Sequence, residues 1–288
     1  MENKMKVSII IPAYNEEKGI EHTLQKLKGG NKKENWEIIV VDDASSDDTA
    51  KFASEMGVRV IRHPYNKGYG ASLKTGVRNA KNDIVVFMDA DDQHNPNDIS
   101  KLLEHIGDYD MVVGARSKTS YISFFRRPGK MLLSIIANYL MNMKIPDINS
   151  GFRAVKKEII EKFIHILPNS FSFSTTITLA AIKGGFNVRY VPITTYKRKG
   201  KSVVNPIRDG INTLLLIIRI VVLFNPLKIF FPVSFFLFAL GMGYLIFALI
   251  FLGFHIPSGA ILLILSSMII FFFGILADQI SAFRMEGK

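Results

Sequence analysis

Val85-Val86-Phe87-Met88-Asp89-Ala90-Asp91-Asp92-Gln93-His94 is the stretch from which the fold can be read. An apolar run breaks off into three acids and a polar pair. A short continuous apolar run reads as a strand covered on both faces, as in parallel sheets. Acids placed directly after such a strand sit at the carboxyl edge, where open α/β sheets bind ligands. Asp89 and Asp91 are two apart, so in extended chain their carboxylates point the same way. Converging carboxylates with no lysine beside them repel unless a cation separates them. Hard divalent cations take oxygen ligands, often one or two carboxylates plus substrate phosphates. The stretch therefore reads as a metal–diphosphate site. The bland alternative is a polar turn capping the next helix.

Working outward, the same grammar recurs. Val7–Ile11 reads as a first buried strand, stopped by Pro12, with Asn15 placed to cap a helix from about Glu16 to Leu27. Glu37–Val41 reads as a second strand, running into Asp42-Asp43 and a Ser46/Asp47 cap. Val58–Ile61, Ile84–Met88, Met111–Val113 and Val188–Ile193 read as further strands, with helical segments between most of them. Such alternation predicts a largely parallel sheet. Three polar clusters (Pro12–Glu16, Asp42-Asp43, Asp89–Gln93) then share one edge, which suggests a cleft for a polar ligand. Gly68-Tyr69-Gly70 matches neither GxGxxG nor a P-loop, since the next glycine is Gly76 and no Gly-Lys-Ser/Thr follows. It reads as a turn into a helix, with Lys67 as a phosphate contact. Asn149–Arg153 reads as a turn, as does His94.

The chain has 288 residues, no cysteine and a net charge of +11. Disulfides and thiolate metal sites are excluded. The amino terminus is short and polar, without the apolar core of a signal peptide. Residues 121–145 mix apolar side chains with Arg126, Arg127 and Lys130, which suggests a helix in a membrane interface, or an ordinary core helix. Ile229–Phe254 is 26 residues without a charge, which as a helix spans about 39 Å against a hydrocarbon core of roughly 30 Å. Ile256–Ala277 adds 22 more, so the carboxyl end reads as a two-span hairpin (about 229–254 and 256–277). A juxtamembrane amphipathic segment (206–228) precedes it. Seven lysines and arginines lie between Lys197 and Lys228 and none at the hairpin tip. The positive-inside rule then puts both ends and the amino-terminal domain in the cytoplasm. Basic residues gathered at that junction favour phosphate or lipid head groups over nucleic acid.

Several motifs coincide in order: VSIIIPAYNE (Val7–Glu16), DDASSDD (Asp42–Asp48), NKGYG (Asn66–Gly70), DADDQH (Asp89–His94), SGFR (Ser150–Arg153) and the late Arg198–Ser202. Together they resemble the inverting family 2 glycosyltransferases, in the branch of dolichol-phosphate mannose synthase and bactoprenol-phosphate glucosyltransferase. The resemblance covers about residues 6–205 and implies a GT-A fold, an α/β Rossmann-like domain over 1–205. It implies that Pro12, Ala13, Tyr14, Glu16 and Asp42 hold the nucleotide. Asp89, Asp91 and Gln93 match the metal and diphosphate positions, with Mg²⁺ or Mn²⁺ as cofactor. Asp89 and Asp91 are also the catalytic pair. Arg116, Lys130, Ser134 and Arg198 match positions that hold the acceptor phosphate. Lys130 stands where arginine is usual, Asp92 where leucine is, Asn97 where an acid is, and Val203 where lysine is.

The resemblance implies transfer from a nucleotide-diphosphate sugar to a polyprenyl phosphate, at a membrane. The two-span architecture favours UDP-glucose, with GDP-mannose as the alternative donor. The oligomeric state is left open, a homo-oligomer included. A processive polysaccharide synthase is disfavoured, because Trp36 is the only tryptophan and the QxxRW stretch is absent. A silent, membrane-anchored nucleotide-sugar binder is disfavoured by the intact Asp89, Asp91 and Gln93.

Overall fold

The computed structural model describes residues 5–30, 36–116, 127–196, 206–253 and 256–286. They fall into two compact units, Met1–Ile211 and Asn212–Lys288.

The first unit is built on strands β1 (Val7–Ala13), β2 (Glu37–Asp42), β3 (Arg59–Arg62), β4 (Ile84–Phe87), β5 (Met111–Arg116), β6 (Arg153–Lys156) and β7 (Val188–Ile193). They form one sheet in the order β3-β2-β1-β4-β6-β5-β7. Every pairing is parallel except those of β6, which runs antiparallel to both β4 and β5. The odd residues of β1 (Val7, Ile9, Ile11) join one core with Ile20, Leu24 and Leu27 of helix α1 (Glu17–Gly30), Ala53 of α2 (Thr49–Glu55) and Ile99 and Leu102 of α4 (Asp98–Leu103). The opposite face takes α3 (Tyr69–Asn79), where a Cβ on Gly76 would lie 2.3 Å from the Ile10 side chain. It also takes α7 (Phe173–Lys183), whose Phe173 ring meets Phe87 edge-on at 5.7 Å. Burial on both faces explains why the strands read as unbroken apolar runs. Helices α5 (Arg127–Met141) and α6 (Lys157–Phe163) complete the unit.

The register fixes where the polar strand ends go. Ala13 pairs with Asp42, Ile10 with Phe87, and Arg116 with Ile193. Because β6 is antiparallel, its first residue, Arg153, lies opposite Phe87, the last residue of β4. The ends of β1, β2, β4, β5 and β7 and the start of β6 therefore share one edge. Strand order reverses between β1 and β4, the place where such sheets open a ligand crevice.

Three local expectations change. Asn15 does not cap α1: it sits at φ 53° and its Oδ1 accepts the Ser46 N–H at 2.8 Å. The first N–H groups of that helix are met from the next loop instead, Glu16 by Thr49 Oγ1 at 2.9 Å and Glu17 by Asp47 Oδ2 at 3.3 Å. The SGFR stretch is more than a turn, since Arg153 opens β6. A four-residue strand ending in lysine carries too little apolar pattern to be read from sequence. The 121–145 helix is shorter than expected where it is described, ending at Met141. Asn142 at φ 53° breaks it, and Asn138 Oδ1 accepts the Ile145 N–H at 2.8 Å. Residues 121–126 lie outside the described residues.

In the second unit, α9 (Leu227–Phe251) and α10 (Ser258–Glu286) pair as a hairpin, and both are long and apolar enough to cross a membrane. Two glycines let them close up: a Cβ on Gly241 would lie 2.8 Å from Ile264, and one on Gly274 2.6 Å from Phe230. α10 outlasts the uncharged run ending at Ala277. Ser281 in this extra length donates to the Leu223 carbonyl at 2.5 Å, near the end of α8 (Pro206–Phe224). Phe235, Phe236, Leu262 and Phe272 point outward, each at least 60% exposed. A soluble unit rarely leaves that much contiguous apolar surface bare.

Candidate active site

The acidic loop leaves β4 with Met88 still bonded to Ile10 O. Helix α1 presses against its backbone, and only glycine fits at the contact: a Cβ on Gly19 would lie 2.4 Å from the Ala90 carbonyl. Thr23 Oγ1 donates to the same carbonyl at 3.4 Å.

Asp89 is gripped from two sides. Tyr69 Oη, from the start of α3, donates to Oδ1 at 2.9 Å, and His94 Nε2 lies 3.4 Å from Oδ2. Burial pushes the Asp89 carboxyl up, but the His94 hydrogen bond and charge, the Tyr69 hydroxyl and the Arg116 charge outweigh it and hold the group below the ordinary aspartate value. Burial first, and then Asp89 itself, push the Tyr69 phenol well above its ordinary value, so it stays protonated and donates. Gly151 sits behind the pair, where a Cβ would lie 2.8 Å from Tyr69 Oη. Asp91 is bonded within its own loop, accepting the Gln93 N–H at 3.2 Å. Gln93 also joins the chain beyond β7: its carbonyl accepts the Tyr196 N–H at 2.9 Å and its Nε2 donates to Tyr196 O at 3.4 Å. Asp92 at φ 60° is buried and paired with Lys26 at 2.5 Å.

The other expected site residues divide. Pro12 and Ala13 end β1 at the edge, both buried, followed by the exposed Tyr14 and the half-buried Glu16. Asp42 is fully buried, accepting the Ser45 N–H and pairing with Arg62 Nε at 3.1 Å. Its neighbour Asp43 ties down the next loop by accepting the Lys67 and Gly68 N–H groups, each at 2.8 Å, beside His63 at 2.7 Å. Lys67 itself is exposed, 5.4 Å from the Tyr65 ring centroid. The first turn of α3 is taken by the chain, since the Gly70 and Ala71 N–H groups both donate to Asn169 O. The glycines of NKGYG thus make a close turn: Gly68 has φ 99°, and a Cβ on Gly70 would lie 2.2 Å from Pro168 O.

Arg116 ends β5 on the same edge and is forked onto Asp147, with Nε to Oδ2 at 2.6 Å and Nη2 to Oδ1 at 2.8 Å. That hydrogen-bonded pair raises the Arg116 pKa. Lys130 lies on α5, and Ser134 is half-buried there. Arg198 lies outside the described residues.

Residues that sequence reasoning passed over carry much of this architecture. His94 lies in a bend, as read, but its ring is not solvated: it is 6% exposed and stacked on Phe152 at 4.9 Å. Arg153 is fully buried, donating to Ser174 O at 3.0 Å, to Thr178 Oγ1 at 2.9 Å and to Ser150 O. Burial pulls its pKa down. Asp147, Tyr69 and Gly151 complete the set, and no local signal marks any of them as a partner of Asp89 or Arg116.

Among the described residues no three His, Cys, Asp or Glu side chains form a ready metal cage. The donor set still suits a hard cation, because Mg²⁺-type sites on phosphorylated substrates use one or two carboxylates and leave the remaining positions to phosphates and water.

A mostly parallel sheet with paired carboxylates at its switch point has the GT-A architecture of sugar transferases. Comparison with known proteins agrees. The glycosyl transferase family 2 model matches residues 8–164, and that of the GtrB C-terminal hairpin matches residues 225–283. The chain is 35% identical over 204 residues to an uncharacterized protein of Methanocaldococcus jannaschii, covering 67% of this chain and 82% of that one. It is 35% identical over 227 residues to the dolichol-phosphate mannosyltransferase of Pyrococcus furiosus, covering 71% of this chain and 62% of that one. It is 32% identical over 216 residues to the UDP-N-acetylglucosamine–dolichyl-phosphate N-acetylglucosaminyltransferase of Methanococcus voltae, covering 66% and 85%. Among solved structures, glucosyl-3-phosphoglycerate synthase from Mycobacterium tuberculosis, in complex with Mn²⁺, UDP and glucosyl-3-phosphoglycerate, superposes with a TM-score of 0.60 at 20% identity over 75% of this chain and 79% of that one. The chain belongs to glycosyl transferase family 2, and it is a glycosyltransferase.

Proposed function

We propose that this glycosyltransferase moves a sugar from a nucleotide-diphosphate donor to a polyprenyl phosphate, with inversion, and that UDP-glucose is the donor. The observation that carries the reading is the meeting at one sheet edge of the acidic loop, Arg116 and the strand leading to the basic stretch after Tyr196. The names of the relatives support the acceptor class: dolichyl-phosphate transferases and an undecaprenyl-phosphate 4-deoxy-4-formamido-L-arabinose transferase of Proteus mirabilis. So does the match to the GtrB hairpin.

Pro12, Ala13, Tyr14 and Glu16 line the nucleotide end, and Asp42 shapes it from below through Ser45 and Arg62. Lys67 approaches from the α3 turn. Asp89, Asp91 and Gln93 would hold Mg²⁺ or Mn²⁺. When bound, the cation offsets the charge on the departing nucleoside diphosphate. Arg116 meets the acceptor phosphate through Nη1, with its other two nitrogens on Asp147 orienting the fork. Lys130, Ser134 and Arg198 complete that grip. The acceptor needs no strong base, because a phosphate monoester has a second pKa of about 6 and is already an anion at neutral pH. Positioning and charge neutralisation then do the catalytic work.

The hairpin α9–α10 spans the membrane, with the amino-terminal domain (residues 1–205) and both termini on the cytoplasmic side. The 206–228 segment lies alongside the bilayer. Met131, Leu132, Ile135 and Tyr139 form an exposed apolar face on α5, suited to the bilayer surface where a lipid acceptor resides.

The test is transfer to undecaprenyl phosphate in detergent from a panel of labelled UDP- and GDP-sugars, with Mg²⁺, Mn²⁺ or a chelator. Metal-dependent transfer from UDP-glucose is expected. Asp91→Asn is expected to lose it by several orders of magnitude while keeping its thermal midpoint. Turnover retained in Asp91→Asn refutes the site assignment, and transfer from GDP-mannose alone moves the donor.

A further inference from the structure

We propose that Tyr69 and His94 are positioning residues of the cation site, setting together the direction in which the Asp89 carboxylate faces. This rests on reading Asp89 and Asp91 as the ligands. An ionised carboxylate offers about four lone-pair positions on its two oxygens. Tyr69 takes one on Oδ1 at 2.9 Å and His94 one on Oδ2 at 3.4 Å, so each oxygen keeps a further position for a cation. Two donors on different oxygens remove the rotation about the Cβ–Cγ bond that one donor would leave.

Both donors are held in place by their surroundings. The Tyr69 ring stacks on Phe171 at 5.0 Å with a 19° interplanar angle. Its backbone lies between Gly68 and Gly70, and the Gly70 N–H is bonded to Asn169 O at 2.9 Å. The His94 ring is stacked on Phe152 and 6% exposed. Among the described residues its buried Nδ1 has no hydrogen-bond partner. The ring is oriented by the Phe152 stack and by the Nε2 contact with Asp89. Asp89 is thus held both from its own loop, by His94, and from a separate helix, by Tyr69.

The test reads metal affinity rather than turnover. Mn²⁺ is titrated into the full-length detergent-solubilised protein and followed by electron paramagnetic resonance. Losing a partner that orients a metal ligand typically costs 10–100-fold in affinity. Tyr69→Phe, which removes one oxygen and keeps the Phe171 stack, is expected to weaken Mn²⁺ binding by about 10-fold or more at an unchanged thermal midpoint. His94→Leu should do the same, and His94→Gln, which keeps an N–H donor, should recover part of the loss. Wild-type Mn²⁺ affinity in Tyr69→Phe, alongside lost binding in Asp91→Asn, overturns the inference and leaves the site reading intact. Binding retained in Asp91→Asn overturns the site reading and this inference together.

Discussion

Replacing Gly151 by alanine adds one methyl group to the back of the site. The new Cβ would lie 2.8 Å from Tyr69 Oη and 3.0 and 3.2 Å from the two Asp89 oxygens. Non-bonded contacts of this kind settle near 3.5 Å, so the Tyr69–Asp89 pair must retreat by about 0.5 Å. Misplacing reacting groups by 1 Å costs on the order of 100-fold in rate, so half of that predicts roughly a 10-fold loss in kcat/KM. Stability should fall as well, by up to about 2 kcal/mol. Gly151 is not among the glycines with positive φ, so alanine meets no backbone strain there. Gly→Ala at a permitted conformation stabilises by about 0.4–1 kcal/mol through the unfolded state, against about 1–3 kcal/mol for local overpacking. The assay pairs sugar transfer in detergent with thermal unfolding. Gly29→Ala is the control, since its Cβ would meet nothing within 4 Å. Wild-type transfer in Gly151→Ala refutes the claim that the missing Cβ sets the position of Asp89.

Other outcomes follow from the same contacts. Arg153→Met strips donors from Ser150 O, Ser174 O and Thr178 Oγ1 in a fully buried position. Thr178 Oγ1 still donates to Ser174 O, but each hydrogen bond lost from a charged donor costs about 1.5–3 kcal/mol, so thermal midpoint and activity should fall together, and an unchanged midpoint would count against a structural role. Gly68→Ala should lose stability rather than activity alone, because φ is 99° and its Cβ would lie 2.4 Å from Asn169 O; a wild-type midpoint refutes this. The Lys156 hydrogen bond, with help from the Asn187 N–H, lowers the Asp110 pKa. A carboxyl lowered on folding stabilises above its unfolded pKa, and that contribution disappears as pH falls through the folded value. Lys156→Met should therefore reduce stability at neutral pH and flatten the acid limb of the stability profile, measured by thermal unfolding from pH 7 downward.

What was legible from sequence were features that repeat locally. The strands of the parallel sheet announce themselves because burial on both faces demands unbroken apolar runs, as in Val7–Ile11 and Val85–Met88. The hairpin announces itself because a bilayer demands length without charge. The Asp89–Gln93 loop stood out because acids directly after a buried strand need a reason to be there. The family motifs added an order of parts that spacing alone did not supply.

The tertiary structure decided who holds those residues. Tyr69 lies 20 positions before Asp89, and Asp147 lies 31 after Arg116. Nothing in either neighbourhood marks the pairing, because the partners are brought together by strand order and by the antiparallel insertion of β6. Asn15 looked like a cap from its position, yet the loop between β2 and α2 reaches α1 first and takes the role. His94 reads as a turn residue, and a lone polar side chain after acids is usually solvated; only the packing of Phe152 over it reveals a buried ring facing Asp89. Composition and period record what each segment needs from its environment. Which distant side chain meets that need is a property of the register, and that exists only once the sheet has formed.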